Sequence, residues 1–220
     1  MSETQGPVLK HIFESIRIGH LLLRNRIMMA PITTGLEAQG NYDELANFYS
    51  QIASGGTGLI TIGGFAYSRL GSLTLRQQRF DRKHHVANHR KITDAIHAKG
   101  SFALFQLIHY GAEAQHLFAM NASTVSKEDG RRIAWKMPRS IIKKTIGQCI
   151  KTALLAKEAN YDGVELDACR QRLLNSFATP GLNTRQDDWG ETSENRYRLA
   201  LEIVKGIRQR AGEEFLIGAR

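Results

Sequence analysis

Three charged side chains, Asp167, Arg170 and Arg172, stand together just after a short apolar run, GVEL at 163–166. A guanidinium is a planar fork of donors, so two arginines on one loop can grip an anionic group such as a carboxylate or phosphate. Alternatively, Asp167 pairs with one of the arginines and the loop holds nothing. Arginine stays protonated at any physiological pH, so Arg172 can donate hydrogen bonds but cannot deliver a proton. Two more polar residues are embedded in apolar surroundings. Gln106 lies within FALFQLI at 102–108, where a side-chain amide offers a donor and an acceptor in one plane. Arg220 closes the run FLIGAR. The plain alternatives are a satisfied buried amide for Gln106 and a frayed end for Arg220.

The elements that must position these groups follow from the apolar spacing. Residues 27–30 end a segment broken at Gly19 and read as a buried strand. GLITI at 58–62 and FALFQLI are continuous apolar runs, as expected of parallel strands covered on both faces. Residues 163–166 and 215–219 give a fourth and a fifth strand. Between them, Leu45, Phe48, Tyr49 and Ile52 share one face of a helix over 43–53. Val86, His89, Ile92 and Ile96 point inward from a helix over about 84–99, stopped by Gly100. Ile142, Ile146, Cys149, Ile150 and Leu154 mark a third, over 139–159, and Ser193 with Glu194 opens a fourth carrying Leu199, Ile203 and Ile207. Residues 110–137 are irregular and polar, too long for a connector, and read as an excursion over one face. Between the fourth strand and Ser193 runs a long polar loop.

Strands alternating with helices imply a parallel sheet. A doubly wound sheet and a TIM barrel both fit, although no GxGxxG follows the first strand. In a barrel the loops after the strands carry the chemistry, and Asp167, Arg170 and Arg172 lie on such a loop.

A chain of 220 residues with 42% hydrophobic content can bury a sizeable core. No apolar run approaches the ~18 residues of a membrane span. The first residues lack the basic-then-apolar order of a signal peptide, so a cytoplasmic location is expected. Cys149 and Cys169 form no CxxC pair, which argues against a disulfide scaffold, a cysteine-rich zinc site or an iron–sulfur cluster. No metal is expected. The formal charge of +9 is spread over short pairs such as Arg82–Lys83 and Lys143–Lys144 without interleaved aromatics. That pattern suits a solvated surface better than nucleic acid.

LLLRNRIMMAPITTGLEAQG, GLITIGGFAYS, FQLIHYG, EANYDGVEL, and NTRQDDWG followed by SENRYR occur in this order between residues 13 and 220. Together they resemble the Old Yellow Enzyme family of FMN-dependent oxidoreductases, most of all the N-terminal barrel of bacterial 2,4-dienoyl-CoA reductases. The resemblance implies a (β/α)8 barrel with FMN at the C-terminal mouth of its strands, reduced by NAD(P)H and passing hydride to the activated C=C of an enone or enoyl-CoA. It implies that Ala30, Pro31, Ile32 and Thr33 lie along the flavin, and that Gly64 is small to admit it. Gln106 would pair with the pyrimidine edge. Arg220 would stand near N1 and the C2 carbonyl, its charge stabilising the reduced flavin.

The chain also departs from the family. Where many members carry a substrate-anchoring HxxN or HxxH pair, Asp167 and Arg170 stand, and become the candidate substrate-binding residues. Arg172 stands in place of the proton-donating tyrosine, the family's catalytic position. Loss of a general acid typically costs ~10²–10⁴ in rate, whereas hydride transfer belongs to the flavin. His109 falls in an altered HxGR run, where a structural role is expected. Five strands are legible where eight close a barrel, and the loops that hold the FMN phosphate in the family are not among them. The expectation is therefore one partial FMN-binding barrel domain over 1–220, completed by a second chain or by oligomerisation. The alternative is a truncated, catalytically impaired remnant or a non-catalytic interaction subunit.

Overall fold

The computed structural model describes residues 10–115 and 117–220. The chain enters through α1 (Lys10–Phe13) and an antiparallel hairpin of β1 (Ile16–Ile18) and β2 (Leu21–Leu23), turned at Gly19 with φ 58°. Next come β3 (Met28–Met29), α2 (Leu36–Gln39), α3 (Tyr42–Ser54), β4 (Leu59–Ile62), α4 (Val86–His97) and β5 (Phe102–Leu107). A small sheet of β6 (Met120–Asn121), β7 (Val125–Ser126) and β8 (Arg132–Lys136) then interrupts the alternation. The chain resumes with α5 (Arg139–Glu158), β9 (Gly163–Leu166), α6 (Leu173–Ala178), α7 (Ser193–Ala211) and β10 (Leu216–Ala219).

The main sheet has the order β3-β4-β5-β9-β10, with every pair parallel. Each strand lies beside its predecessor in the chain, so the winding never reverses. A doubly wound sheet must reverse at a switch point, so this order selects the barrel alternative, here as five strands of an incomplete one.

Helices α3, α4, α5 and α7 turn the predicted apolar stripes onto the sheet, and Leu45, Ile92, Ile96, Ile142, Ile203 and Ile207 are fully buried there. At the N-terminal end of the strands, the hairpin puts Leu21 and Leu23 against Leu59 and Leu104. That end is closed by an apolar plug, which leaves the opposite end for chemistry.

Two arginines tie the frame together. Arg24, from LRNR, donates to the carbonyls of Ala53 (2.6 Å), Thr57 (2.9 Å) and Lys99 (3.1 Å). It thereby gathers carbonyls at and just beyond the ends of α3 and α4, at the negative pole of each helix. Arg185, from NTRQDDWG, is almost fully buried. It makes a two-pronged pair with Asp187 (2.9 and 2.7 Å) and donates to the carbonyls of Ala122 (2.9 Å) and Met137 (2.8 Å). The guanidinium holds the Asp187 carboxyl down at about 2.

Three expectations need correction. Residues 27–30 are not buried: Met28 is 43% exposed, because β3 is a sheet edge paired only with β4 among the described residues. Residues 110–137 are not simply irregular, since β6–β8 form within them. The loop after β9 contains α6, whose Leu173, Leu174 and Phe177 are buried. Its six residues are too few to show a periodicity against the polar residues around them.

His89 sits in an aromatic cluster, stacked on Phe80 (3.8 Å between centroids, 7° between planes) with Phe65, Phe105 and Tyr42 around it. Its Nδ1 meets the Tyr161 hydroxyl at 3.0 Å. Burial pushes its pKa well below the ordinary histidine value, so the folded chain keeps the ring neutral. Below pH ~6.5 the unfolded chain binds a proton that the folded one refuses, so stability is full above that pH and falls beneath it, by up to about 1.4 kcal/mol per pH unit. His97 works in the opposite window. Its bond to Asp162 (2.8 Å) raises its pKa, so its contribution is present below ~6.5 and lost as pH rises through the raised value. Chemical denaturation between pH 7 and pH 5 is expected to show a falling midpoint for the native chain and a flatter profile for His89→Phe. Equal slopes in the two proteins would remove His89 as the cause.

Candidate functional site

The C-terminal ends of the strands converge on a cavity of about 140 Å³. It is lined by Pro31, Ile32 and Thr33 after β3, Gly64 after β4, Gln106 on β5, Asp167, Arg170 and Arg172 after β9, and Arg220 after β10. Every candidate named from the sequence except Ala30 is thus brought to one mouth. Ala30 is exposed on the edge strand's side and does not line it.

Parallel register explains the convergence. Gln106 pairs with Glu165 across β5 and β9, and Ala219 with Leu166 across β9 and β10, so the residues that follow emerge at one level. Ladder bonds carry this level past the strands: the Asp167 N–H donates to Leu107 (3.2 Å), Ala168 to Arg220 (2.9 Å) and Leu173 to His109 (3.0 Å).

Gln106 is buried, and its Nε2 donates to Glu165 (3.2 Å). One amide N–H is therefore spent inside the barrel. Burial raises the Glu165 pKa, partly offset by the Gln106 hydrogen bond and the Arg220 charge. At Gly63 a side-chain carbon would lie 3.0 Å from the Ile32 carbonyl oxygen and 3.3 Å from Gln106 Oε1. Bare backbone is what lets the ends of β3 and β4 meet the amide. Gly64 has φ 87°, and a carbon there would come within 2.9 Å of Glu37. Glycine is thus required by the chain's own turn and by Glu37, before any ligand is considered.

The two arginines of the loop part company. Arg172 turns inward, its side chain 12% exposed, ion-paired with Glu113 and with Asp167 (3.4 Å), its guanidinium 4.1 Å above the Tyr110 ring. Burial lowers its pKa from the ordinary arginine value. Of the two readings open from the sequence, the structure shows Asp167 paired with an arginine, and Arg172 does not present a free fork. Arg170 is exposed, in a left-handed backbone conformation (φ 54°) uncommon for a non-glycine residue. Just before Arg170, Cys169 donates its thiol to Asp167 (2.9 Å), and burial with that carboxylate raises its pKa. His109 is buried and its Nδ1 accepts the Gly111 N–H at 3.1 Å, in keeping with a structural role.

Tyr110 and Glu113 are site residues that the sequence reading passed over as part of an irregular excursion. Their signal was position: both follow directly on β5, at the catalytic end of a barrel strand. Tyr110 also lines a second cavity of about 290 Å³ that shares Thr33 and Gly64 with the first. A larger apolar cavity, about 820 Å³, lies away from the mouth between Leu75, Phe118 and Lys144 and contains none of the candidate residues.

The profile of the NADH:flavin oxidoreductase / NADH oxidase family matches residues 11–220. The chain belongs to that family. A metal reductase of Desulforamulus reducens is 30% identical over 214 residues, 95% of this chain and 32% of that protein. Solved structures of a 2-naphthoyl-CoA reductase with 2-naphthoyl-CoA (TM-score 0.88, 25% identity, 96% of this chain and 35% of that one) and of morphinone reductase with tetrahydroNAD (TM-score 0.83, 26% identity, 95% and 63%) have the same fold over this stretch. The chain spans about a third of the length of the first curated relatives it matches.

For this family member, the Arg172 pair makes a stability prediction. Arg172→Met would leave Asp167 buried without its cation. The expected loss in urea unfolding is about 3 kcal/mol, the low end for breaking a buried pair because Glu113 is partly exposed. A loss under ~0.5 kcal/mol, the size of an exposed pair, would show that the cluster holds nothing together.

Proposed function

We propose that residues 1–220 are one partial barrel domain, the flavin-holding part of an FMN-dependent oxidoreductase. The proposed reaction is hydride transfer from reduced flavin to an activated C=C, with NAD(P)H as electron donor. The observation that carries this reading is the mouth itself, where an amide, a guanidinium, a hydroxyl and an apolar wall come from three separate strand ends. That donor set fits the group. Gln106 and Thr33 suit the hydrogen-bonding edge of the flavin's pyrimidine ring. Arg220 suits the negative charge gained on reduction, and Pro31 with Ile32 suits an apolar ring face. The half-open cavity of about 140 Å³ has room for the edge of such a ring.

When bound, FMN supplies the hydride chemistry. The chain's residues orient the ring, exclude water beneath it and balance its charge. Gln106 is itself fixed by Glu165, so its free amide atoms are pre-aimed. Arg170 remains the candidate contact for an anionic substrate group, whereas Asp167 positions Arg172 and Cys169 rather than substrate. A small enone or enoyl-CoA fits this reading. So does a second chain or further copies covering the β3 and β10 edges, each of which pairs on one side only among the described residues. No described helix is long and apolar enough to cross a membrane. The reading places the reaction in the cytoplasm, with the nicotinamide pool that would reduce the flavin.

A competing reading, an impaired remnant, draws on the replacement of the proton-donor tyrosine by Arg172 and on that arginine's engagement with Glu113. Flavin uptake separates the two. The purified protein is expected to take up FMN with the shifted, structured absorbance of a bound flavin, and to bleach on addition of NADH or NADPH. Gln106→Leu should weaken FMN binding about tenfold, the worth of one good hydrogen bond to the ring. A protein that is colourless once unbound flavin is removed after incubation with excess FMN would sink the oxidoreductase reading.

A further inference from the structure

The flavin reading leaves the reaction without a proton source, because Arg172 cannot act as a general acid. The mouth offers few alternatives. The Cys169 thiol is committed to the Asp167 carboxylate, which together with burial holds its proton on. His109 is buried with its Nδ1 on the Gly111 N–H. The Thr33 hydroxyl is too weak an acid.

Tyr110 remains. Its backbone N–H is fixed to the Gly71 carbonyl (2.9 Å), and its ring lies under the Arg172 guanidinium. Among the described residues its hydroxyl receives only a long contact from Gln77 Nε2 (3.5 Å), which leaves the phenolic O–H uncommitted as a donor there. The side chain lines both cavities at the mouth, beside Thr33 and Gly64.

Resting on the flavin reading, we propose that Tyr110 is the catalytic acid of this chain and that Arg172 is its positioning partner. The family position that ordinarily carries a tyrosine carries instead the cation that braces a tyrosine from the neighbouring strand end. With the β-carbon of the alkene having received hydride, the electron pair of the C=C moves to the α-carbon. That carbon takes the Tyr110 proton: a C–H bond forms, the O–H bond breaks, and water returns a proton to the phenolate. The guanidinium over the ring stabilises the negative charge as it develops there. The exchange of positions keeps the donor on the same mouth while changing the strand that delivers it.

The test uses the FMN-loaded protein, with the flavin-reduction and alkene-reduction steps followed separately by stopped flow. Tyr110→Phe should leave flavin reduction by NAD(P)H within about twofold and slow the alkene step by ~10²–10⁴, the usual worth of a general acid. Replacing Tyr110 by 3-fluorotyrosine, a stronger acid of almost the same shape, should preserve the alkene step and move its high-pH limb to lower pH. A readout independent of turnover is the ¹³Cζ tyrosine NMR spectrum. The signal missing in Tyr110→Phe should shift when a saturated, unreactive analogue of the substrate is added beside oxidised FMN. An alkene step unchanged in Tyr110→Phe, a pH limb unmoved by fluorination, or a Tyr110 signal blind to the analogue would each overturn the assignment while leaving the flavin reading intact. Failure to bind FMN would remove the flavin reading and this assignment with it.

Discussion

The distance between the two loops that build the mouth is set by a buried charge. Arg185 gives two hydrogen bonds to Asp187 in its own loop and two to carbonyls within the excursion after β5, one at Ala122 and one at its end, Met137. A guanidinium in this position must have all its partners, because an unpaired buried cation costs several kcal/mol. The excursion therefore cannot drift from the loop after β9. Asn183 reinforces the same loop by donating to the carbonyls of Phe177 and Trp189. Tyr110 and Glu113 leave one side of this joint, Asp167 and Arg172 the other. The ion cluster that joins them forms between two walls already held in place.

Charge then decides what the mouth can accept. Arg170, Arg172 and Arg220 face it, and two carboxylates, Asp167 and Glu113, are used up on Arg172. Glu165 adds little opposition, since burial disfavours its charged form. What is left is a site with its positive charge at Arg170 and Arg220, on the loops after two neighbouring strands. A flavin that gains negative charge on reduction and a substrate that carries an anionic group would meet this surplus from different sides.

The frame was legible in the sequence where physics is local. Apolar runs gave β4, β5 and β9 to within a residue or two, and the stripe containing Ile92 and Ile96 gave the buried face of α4. Strand order was not legible, because five short apolar runs carry no record of their neighbours. Resemblance supplied the barrel, and the register then placed the candidate residues together. Contacts made across long separations stayed hidden. Nothing in NTRQDDWG announces that Arg185 reaches back to Ala122, or in HYGAE that Glu113 will meet Arg172. The same blindness affected β3, whose apolar residues promise burial that an edge position withholds.

That contrast bears on how the departures at 167–172 should be understood. Asp167, Arg170 and Arg172 differ from the residues expected at those places, and two of the three, Asp167 and Arg172, are held against the wall of the mouth while Arg170 is exposed. Asp167 accepts from the Cys169 thiol and backbone and pairs with Arg172, and Arg172 packs on Tyr110. Here Asp167 pairs with Arg172, and Arg172 lies against a tyrosine that belongs to a different strand end, while its Nε, 3.4 Å from Asp167, makes no hydrogen bond among the described residues. Arg172 at the tyrosine position is therefore coupled, through its packing on the Tyr110 ring, to a tyrosine delivered to the same mouth from the end of β5.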